Sequence, residues 1–282
     1  MAVAPSFKNL LVAVDDSQYS LQAEEFAADL AKNFGSNVTV LHVVPHAITH
    51  QLSGYGQVPK NILEELEGSF LQRGRSVIQQ AKALFAQEGV KAETMLEEFA
   101  DPADTILEVA KEKKSDTLIL GNKGSSEIED FALGGVVDKV FRHADLPVFI
   151  VKKKTDFSKI LVAVDGSKHA EKALKYAVQL GEKYKSRVTL LNVAQTLIRK
   201  ETAKSMGERV VSDAEAQVKG VKADKKVEFG HPAKTIIDFA KKGDYDLIAL
   251  GSRGLNPVKR FFLGSVSDNV ARHAPCSVLI VR

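Results

Sequence analysis

Lys8-Asn9-Leu10-Leu11-Val12-Ala13-Val14-Asp15-Asp16-Ser17 returns later in the chain as Ser158-Lys159-Ile160-Leu161-Val162-Ala163-Val164-Asp165-Gly166-Ser167. Each copy is a short apolar, β-branched run that ends on an acid and a serine. That is the pattern of a strand buried on both faces and turning into a helix. A second echo closes each copy: Arg142-His143-Ala144 reappears as Arg272-His273-Ala274, and another short apolar run follows each. The first pairing is offset by 150 positions and the last by 130, so the first copy carries a net insertion of 20 residues. Pro102 already matches Pro232 at the shorter offset, which confines the insertion between His42 and Pro102. The chain is therefore one domain written twice, and 282 residues suit two domains of ordinary size. The polar stretch from Lys152 to Ser158 reads as the junction, giving domains at residues 1–153 and 154–282.

Outward from that repeat, strand-like and helical patterns alternate. In the second copy, strands are predicted at 160–164, 187–193, 227–229, 247–250 and 277–281. Helices are predicted at 170–184, 200–218, 232–242 and 265–273. Ala173, Leu174, Ala177, Val178 and Leu180 fall at helical intervals in the first of these helices. Such alternation means an α/β fold, a mainly parallel five-stranded sheet per domain with right-handed crossovers and helices on both faces. The first copy repeats the order, with Gln51–Lys60 as a loop rich in Gly, Ser and Pro before a longer helix at 62–87.

Composition narrows the class. With 44% apolar and 27% charged residues the chain has a globular composition. Thirty-nine basic residues against 36 acidic ones, with no basic stripe interleaved with aromatics, argue against nucleic acid as a partner. No apolar stretch approaches the ~18–20 residues that cross a bilayer, and the start of the chain lacks a secretory pattern, so we expect a cytoplasmic protein without a membrane partner. The single cysteine, Cys276, lies in an apolar run and reads as a buried, inert thiol.

In open parallel sheets ligands bind at the carboxyl ends of the strands. Three segments of the second copy lie there. Gly251-Ser252-Arg253-Gly254, followed after nine residues by Gly264-Ser265, sits between a strand and a helix. Its glycines admit close backbone approach, and the helix start offers free N–H groups, a favourable dipole and a hydroxyl to a phosphate. Arg253, Lys259 and Arg260 add positive charge, although a flexible linker with a serine cap would look similar. At Asp165-Gly166-Ser167 the acid suits ribose hydroxyls or a Mg²⁺ bridging phosphates; alternatively Asp165 or Ser167 merely caps the next helix. The third segment is Asn192-Val193-Ala194, where a strand ends.

On these residues, with Gly230-His231-Pro232 before a helix, the chain resembles the universal stress protein family in its tandem form. The resemblance covers nearly the whole chain apart from the insertion, and the Gly-x2-Gly-x9-Gly-Ser pattern is the family's nucleotide signature. It implies two Rossmann-like domains of the adenine nucleotide alpha hydrolase kind. It also implies an adenine nucleotide, ATP or else AMP or ADP, with Mg²⁺ as an optional companion. Carried over, Ala163, Asp165 and Val193 would line the adenosine side, and Gly251, Arg253, Gly254, Gly264, Ser265, Val266 and Ser267 would surround the phosphates. In the family the last strands mediate dimerisation. The strands ending at Val151 and Val281 would then join the two halves as an internal pseudo-dimer, with a homodimer of chains as a further option.

The first copy keeps Asp15, Val43, Gly121, Gly124 and Gly134, but Gly135 stands where the pattern wants a hydroxyl. Its loop reads Ser126-Glu127-Ile128-Glu129-Asp130 against Pro257-Val258-Lys259-Arg260 in the second copy. Each carboxylate near a polyphosphate costs on the order of 1 kcal/mol at surface dielectric, partly screened by salt. The missing hydroxyl costs about 1 kcal/mol more, so the first site is expected to bind at least ~100-fold more weakly.

His42, His46 and His50 stand at four-residue intervals, but Pro45 breaks any helix there, so no metal site is assigned. His143 and His273 complement a helix end and have no nucleophile beside them in sequence. No catalytic motif stands out. The expected function is that of an adenine-nucleotide-binding stress protein acting through nucleotide-dependent association with little or no hydrolysis. The alternative is a scaffold or chaperone-like protein with a vestigial pocket.

Overall fold

The computed structural model describes residues 6–46, 59–124, 133–153, 155–195, 199–255 and 264–282. The first repeat runs β1 (Asn9–Ala13), α1 (Gln18–Phe34), β2 (Asn37–Pro45), α2 (Lys60–Gln87), β3 (Ala92–Ala100), α3 (Pro102–Glu112), β4 (Thr117–Gly121), α4 (Gly135–His143) and β5 (Val148–Val151). The second runs β6 (Lys159–Ala163), α5 (Lys168–Tyr184), β7 (Arg187–Ala194), α6 (Lys200–Glu215), β8 (Ala223–Phe229), α7 (Pro232–Gly243), β9 (Leu247–Gly251), α8 (Ser265–His273) and β10 (Ser277–Val281). The chain is thus α/β throughout, as its alternating periodicity predicts.

Two element bounds depart from the sequence expectation by three residues or more. Strand β8 begins at Ala223, four residues before the apolar run that marks it. It is the last strand in its sheet order, and the exposed Lys225 and Lys226 hide a ladder made by backbone bonds to β7. Helix α6 ends at Glu215 rather than at 218.

Two compact units result, one built on Phe7–Ile128 with Gly134–Ala144, the other mainly on Asp145–Arg282. The N-terminal unit carries the strand order β3-β2-β1-β4, each neighbour parallel. The C-terminal unit carries β5-β10-β9-β6-β7-β8, parallel except where β5 meets β10. Strand β5, the fifth of the first repeat by sequence, is therefore antiparallel to β10, with Val278 opposite Ile150 and Ile280 opposite Val148.

Burial follows from position in these sheets. Leu10, Leu11 and Val12 of β1, Leu118 and Ile119 of β4, and their counterparts Ile160, Leu161, Val162, Ile248 and Ala249 are buried. Helices α1 and α2 pack on one another, as do α3 and α4, so helices form two layers in the N-terminal unit. Cys276 is buried, and burial pushes its thiol up to about 12, which keeps it protonated. Among the described residues no helix is long and apolar enough to cross a membrane.

The tightest junction lies where β9 ends. A Cβ on Gly251 would come within 2.6 Å of the backbone carbon of His169 in α5. Gly251→Val should therefore cost about 1–3 kcal/mol by overpacking. A urea melt checks this through a lower midpoint at unchanged slope, whereas a wild-type midpoint would show that α5 yields.

Candidate functional site

The same corner is built at the carboxyl ends of both sets of central strands. Ser17 caps α1, its Oγ accepting from Ser20 N–H at 3.0 Å, and Asp15 Oδ1 accepts from Ser17 N–H at 2.9 Å. In the second half Ser167 Oγ accepts from Ala170 N–H at 3.2 Å, and Asp165 Oδ1 from Ser167 N–H at 2.9 Å. The cap is therefore the serine, and the acid is held as an Asx turn. Its other oxygen faces the glycine loop: a Cβ on Gly124 would meet Asp15 Oδ2 at 2.8 Å, and one on Gly254 would meet Asp165 Oδ2 at 2.7 Å. Gly121 is constrained like Gly251, since its Cβ would stand 2.7 Å from Tyr19 O.

The cap hydroxyls also grip the loops, Ser17 Oγ donating to Lys123 O at 3.3 Å and Ser167 Oγ to Arg253 O at 3.2 Å. Each loop returns through a glycine cap: Gly134 N–H donates to Asn122 O at 3.1 Å and Gly264 N–H to Ser252 O at 2.8 Å. Ser265 is exposed and Val266 half-buried in the first turn of α8. Ser267 is buried, and its hydroxyl lies 2.9 Å from Ser252 O and 2.8 Å from Gly264 O. Its proton is thus spent on tying α8 to the loop. Gly135 opens onto free space, with nothing within 4 Å of an added Cβ.

In the N-terminal unit this corner opens into a cavity of about 460 Å³. Asp15, Val43, Gly121, Gly124 and Gly134 line it together with Ala13, the counterpart of Ala163. In the C-terminal unit a pocket of about 120 Å³ lies beside α5 and α6, against Val164, Gly166 and Val210. The second-half candidates Ala163, Asp165, Val193, Gly251, Arg253, Gly254 and Gly264 surround the strand ends but do not line that pocket. The loop segments that carry Glu127, Glu129 and Asp130 in one half and Lys259 and Arg260 in the other lie outside the described residues, as do His50 and most of Gln51–Lys60.

The sequence model of the universal stress protein family matches residues 6–152 and again 156–282. The chain belongs to the universal stress protein family. Over 148 residues it is 34% identical to the universal stress protein YxiE of Bacillus subtilis, covering 52% of this chain and 99% of that protein. Over another 148-residue match it is 31% identical to the universal stress protein MJ0531 of Methanocaldococcus jannaschii, covering 52% of this chain and 83% of that protein. Among solved structures, a universal stress protein from Archaeoglobus fulgidus superposes with a TM-score of 0.71 at 23% identity, covering 97% of this chain and 98% of that one. That likeness is one of fold.

Against the universal stress protein pattern, three features of the N-terminal cavity were not legible in the glycine signature. The first is Lys123, between the two loop glycines. It is only 4% exposed and lines the cavity. The second is Arg73, which arrives on α2 and bonds Asp16 through both Nε and Nη2. The third is Glu24. Ser20 Oγ accepts from Asp15 N–H at 2.9 Å and donates to Glu24 Oε1 at 3.1 Å. Since Ser20 lines the cavity, this puts a buried carboxyl one hydrogen bond behind it; the second half has Ala170 and Leu174 at the same positions.

Burial above all pushes the Glu24 carboxyl up to about 7, with Asp15 and Glu25 adding to the rise and the Ser20 hydrogen bond opposing it. Because its folded value exceeds its unfolded one, the folded protein holds the extra proton between about pH 4.5 and 7. Stability then falls as pH rises through that window and stays reduced above it. Glu24→Gln should remove this slope and stabilise the N-terminal unit at pH 8 by on the order of 2 kcal/mol, with little gain at pH 4. Urea denaturation at the two pH values checks it; an equal change at both would assign Glu24 a purely steric role.

Proposed function

We propose that this universal stress protein binds an adenine nucleotide at the corner described above, with the phosphates against the glycine loop and the start of the last helix. Ligand-dependent association, rather than turnover, is then its mode of action. The observation that carries the proposal is Lys123. Its residue is buried in the wall of a cavity whose size falls within the ~300–1,000 Å³ of small-molecule sites. A phosphate in that space would pair with its ammonium. Gly135 puts no side chain over the start of α4, where a helix N-terminus attracts a phosphate. In the second half Arg253 holds the position of Lys123, and the full signature with Ser265 supports a second phosphate site there.

The same features speak for slow chemistry or none. Asp15 is occupied by Ser17 N–H and Asp16 by Arg73, so neither carboxylate is poised as a base. His42 Nδ1 is engaged by Val14 O at 2.7 Å. For association, the antiparallel contact of β5 with β10 supports an internal pseudo-dimer in which each repeat offers its last strand. A homodimer of chains would need a further surface.

Calorimetric titration with ATP tests the proposal. Lys123→Ala should weaken the N-terminal site about tenfold or more, since a charge-assisted hydrogen bond contributes about 1.5–3 kcal/mol. Arg253→Ala should act on the C-terminal site alone. The reading is lost if wild-type protein gives no heat with ATP, ADP or AMP and releases no nucleotide on denaturation.

A further inference from the structure

Four residues of α2, Phe70, Arg73, Gly74 and Val77, line the cavity. Their spacing puts them on one face of the helix. Gly74 sets how close that face comes: a Cβ there would stand 3.0 Å from His42 Cδ2, Leu96 Cδ1 and Val44 Cγ2. Without a side chain at Gly74 the helix settles onto the ends of β2 and β3, and Phe70, one turn earlier, reaches the cavity beside Val43, Val44 and Pro45. Since β1 lies between β2 and β4, the cavity has two chemically distinct ends. At the β4 end are Lys123 and the loop glycines beside Leu120 and Val137; at the β2 end are the Phe70 ring and the aliphatic Val43, Val44 and Pro45, with His42 and the Arg73 that is paired to Asp16. That division suits a ligand with an anionic tail and a flat apolar ring.

Arg73 and Asp16 fasten this arrangement, because their ion pair joins α2 to the turn after β1. In the second half the helix glycine that packs on Asn192, the counterpart of His42, is Gly207. Matching these glycines puts Ala203 where Phe70 stands, Met206 where Arg73 stands and Gly166 opposite Asp16. Neither the ring nor the ion pair exists there.

We propose that Phe70 stacks on the base of a nucleotide held in the N-terminal cavity, with the Arg73–Asp16 pair as the positioning clamp that holds the ring in place. This rests on the nucleotide reading above and adds to it: the inserted helix is the base-binding wall of this half. Base–aromatic stacking is tolerant of base identity, so Phe70 contributes affinity for a ring and leaves discrimination among bases to the strand edge.

The chain contains no tryptophan, so Phe70→Trp gives it a single indole, placed in this wall. Its emission should be quenched by ATP and by adenosine and left unchanged by inorganic tripolyphosphate. Phe70→Leu, which keeps the wall apolar, should weaken adenosine binding about tenfold. Adding Arg73→Ala to Phe70→Trp should reduce the quench, and Arg73→Lys should restore most of it, a rescue that a purely structural role would not track. Unchanged indole emission at ATP concentrations that saturate the wild-type heat would overturn the stacking assignment and leave the nucleotide reading standing. Phe70→Leu binding adenosine as wild type does would overturn it equally. Absence of wild-type heat would instead remove the nucleotide reading itself.

Discussion

Where β4 meets its loop, the backbone runs so close to the first turn of α1 that a side chain at Gly121 would strike the carbonyl of Tyr19. Three residues on, a side chain at Gly124 would strike Asp15. These two contacts pin the loop between a helix start and the acid that ends β1. The serine cap closes the triangle by bonding both its own helix and the loop. With side chains excluded on the packed side, what the loop can present toward the strand ends is backbone amide and whatever stands between the glycines. The second half meets the same limits at Gly251 and Gly254. The glycine spacing of the universal stress protein signature is thus a steric requirement of the corner before it is a ligand-binding device.

Because the corner is shared, the two halves must differ in what surrounds it. Electrostatics read from the loop sequence alone favours the C-terminal half, with Lys259 and Arg260 against three acids. The N-terminal half recovers positive charge from two other sources, Lys123 within the glycine loop and Arg73 on α2. Their weights differ. Arg73 is half exposed and already neutralised by Asp16, so it contributes little net charge. Lys123 is a buried residue on the cavity wall, where charge is screened less than at the surface. Arg253 supplies the matching cation in the second half, so Lys123 does not by itself offset the hundredfold handicap expected of the first half.

The fold was legible because buried strands and helices leave their period in the sequence, and a tandem copy shows each pattern twice. Edges escaped where the period is weak: β8 is bounded by Lys225 and Lys226, which no hydrophobic count assigns to a strand. The site was legible only as far as steric rules reach. Gly121, Gly124, Gly251, Gly254, Asp15 and Asp165 take their positions from local contacts that the signature encodes. Phe70 and Arg73 do not, since each reaches the cavity through packing between elements far apart in the chain, and Glu24, though local to α1, lies outside the glycine signature. Lys123 was in plain view between two glycines, and only its burial distinguishes it from an ordinary loop lysine. Ser267 shows the converse, a hydroxyl that fits a phosphate role by sequence and is spent on backbone carbonyls in the fold.

Helix α2 shows why the insertion matters to the ligand. Its buried residues are Gly74, Val77, Ala81 and Phe85, all in its second half. From Lys60 to Arg73 no residue is buried, although this is half of a 28-residue helix. Helix propensity alone stabilises such a segment weakly, because tertiary packing of an apolar face supplies most helical stability in water. Phe70 is the large apolar side chain on that stretch that faces the cavity. A ring seated against it would bury surface that the unliganded protein leaves half covered, and binding energy would then stabilise the start of α2 by an amount that grows as the logarithm of ligand concentration. The second half has no equivalent reserve, since its helix is 16 residues long and places a buried Ala203 at the matching position. A nucleotide signal would therefore be felt as helix order in one repeat and only as loop occupancy in the other, and that difference is a physical reason for a tandem chain to keep its copies unequal.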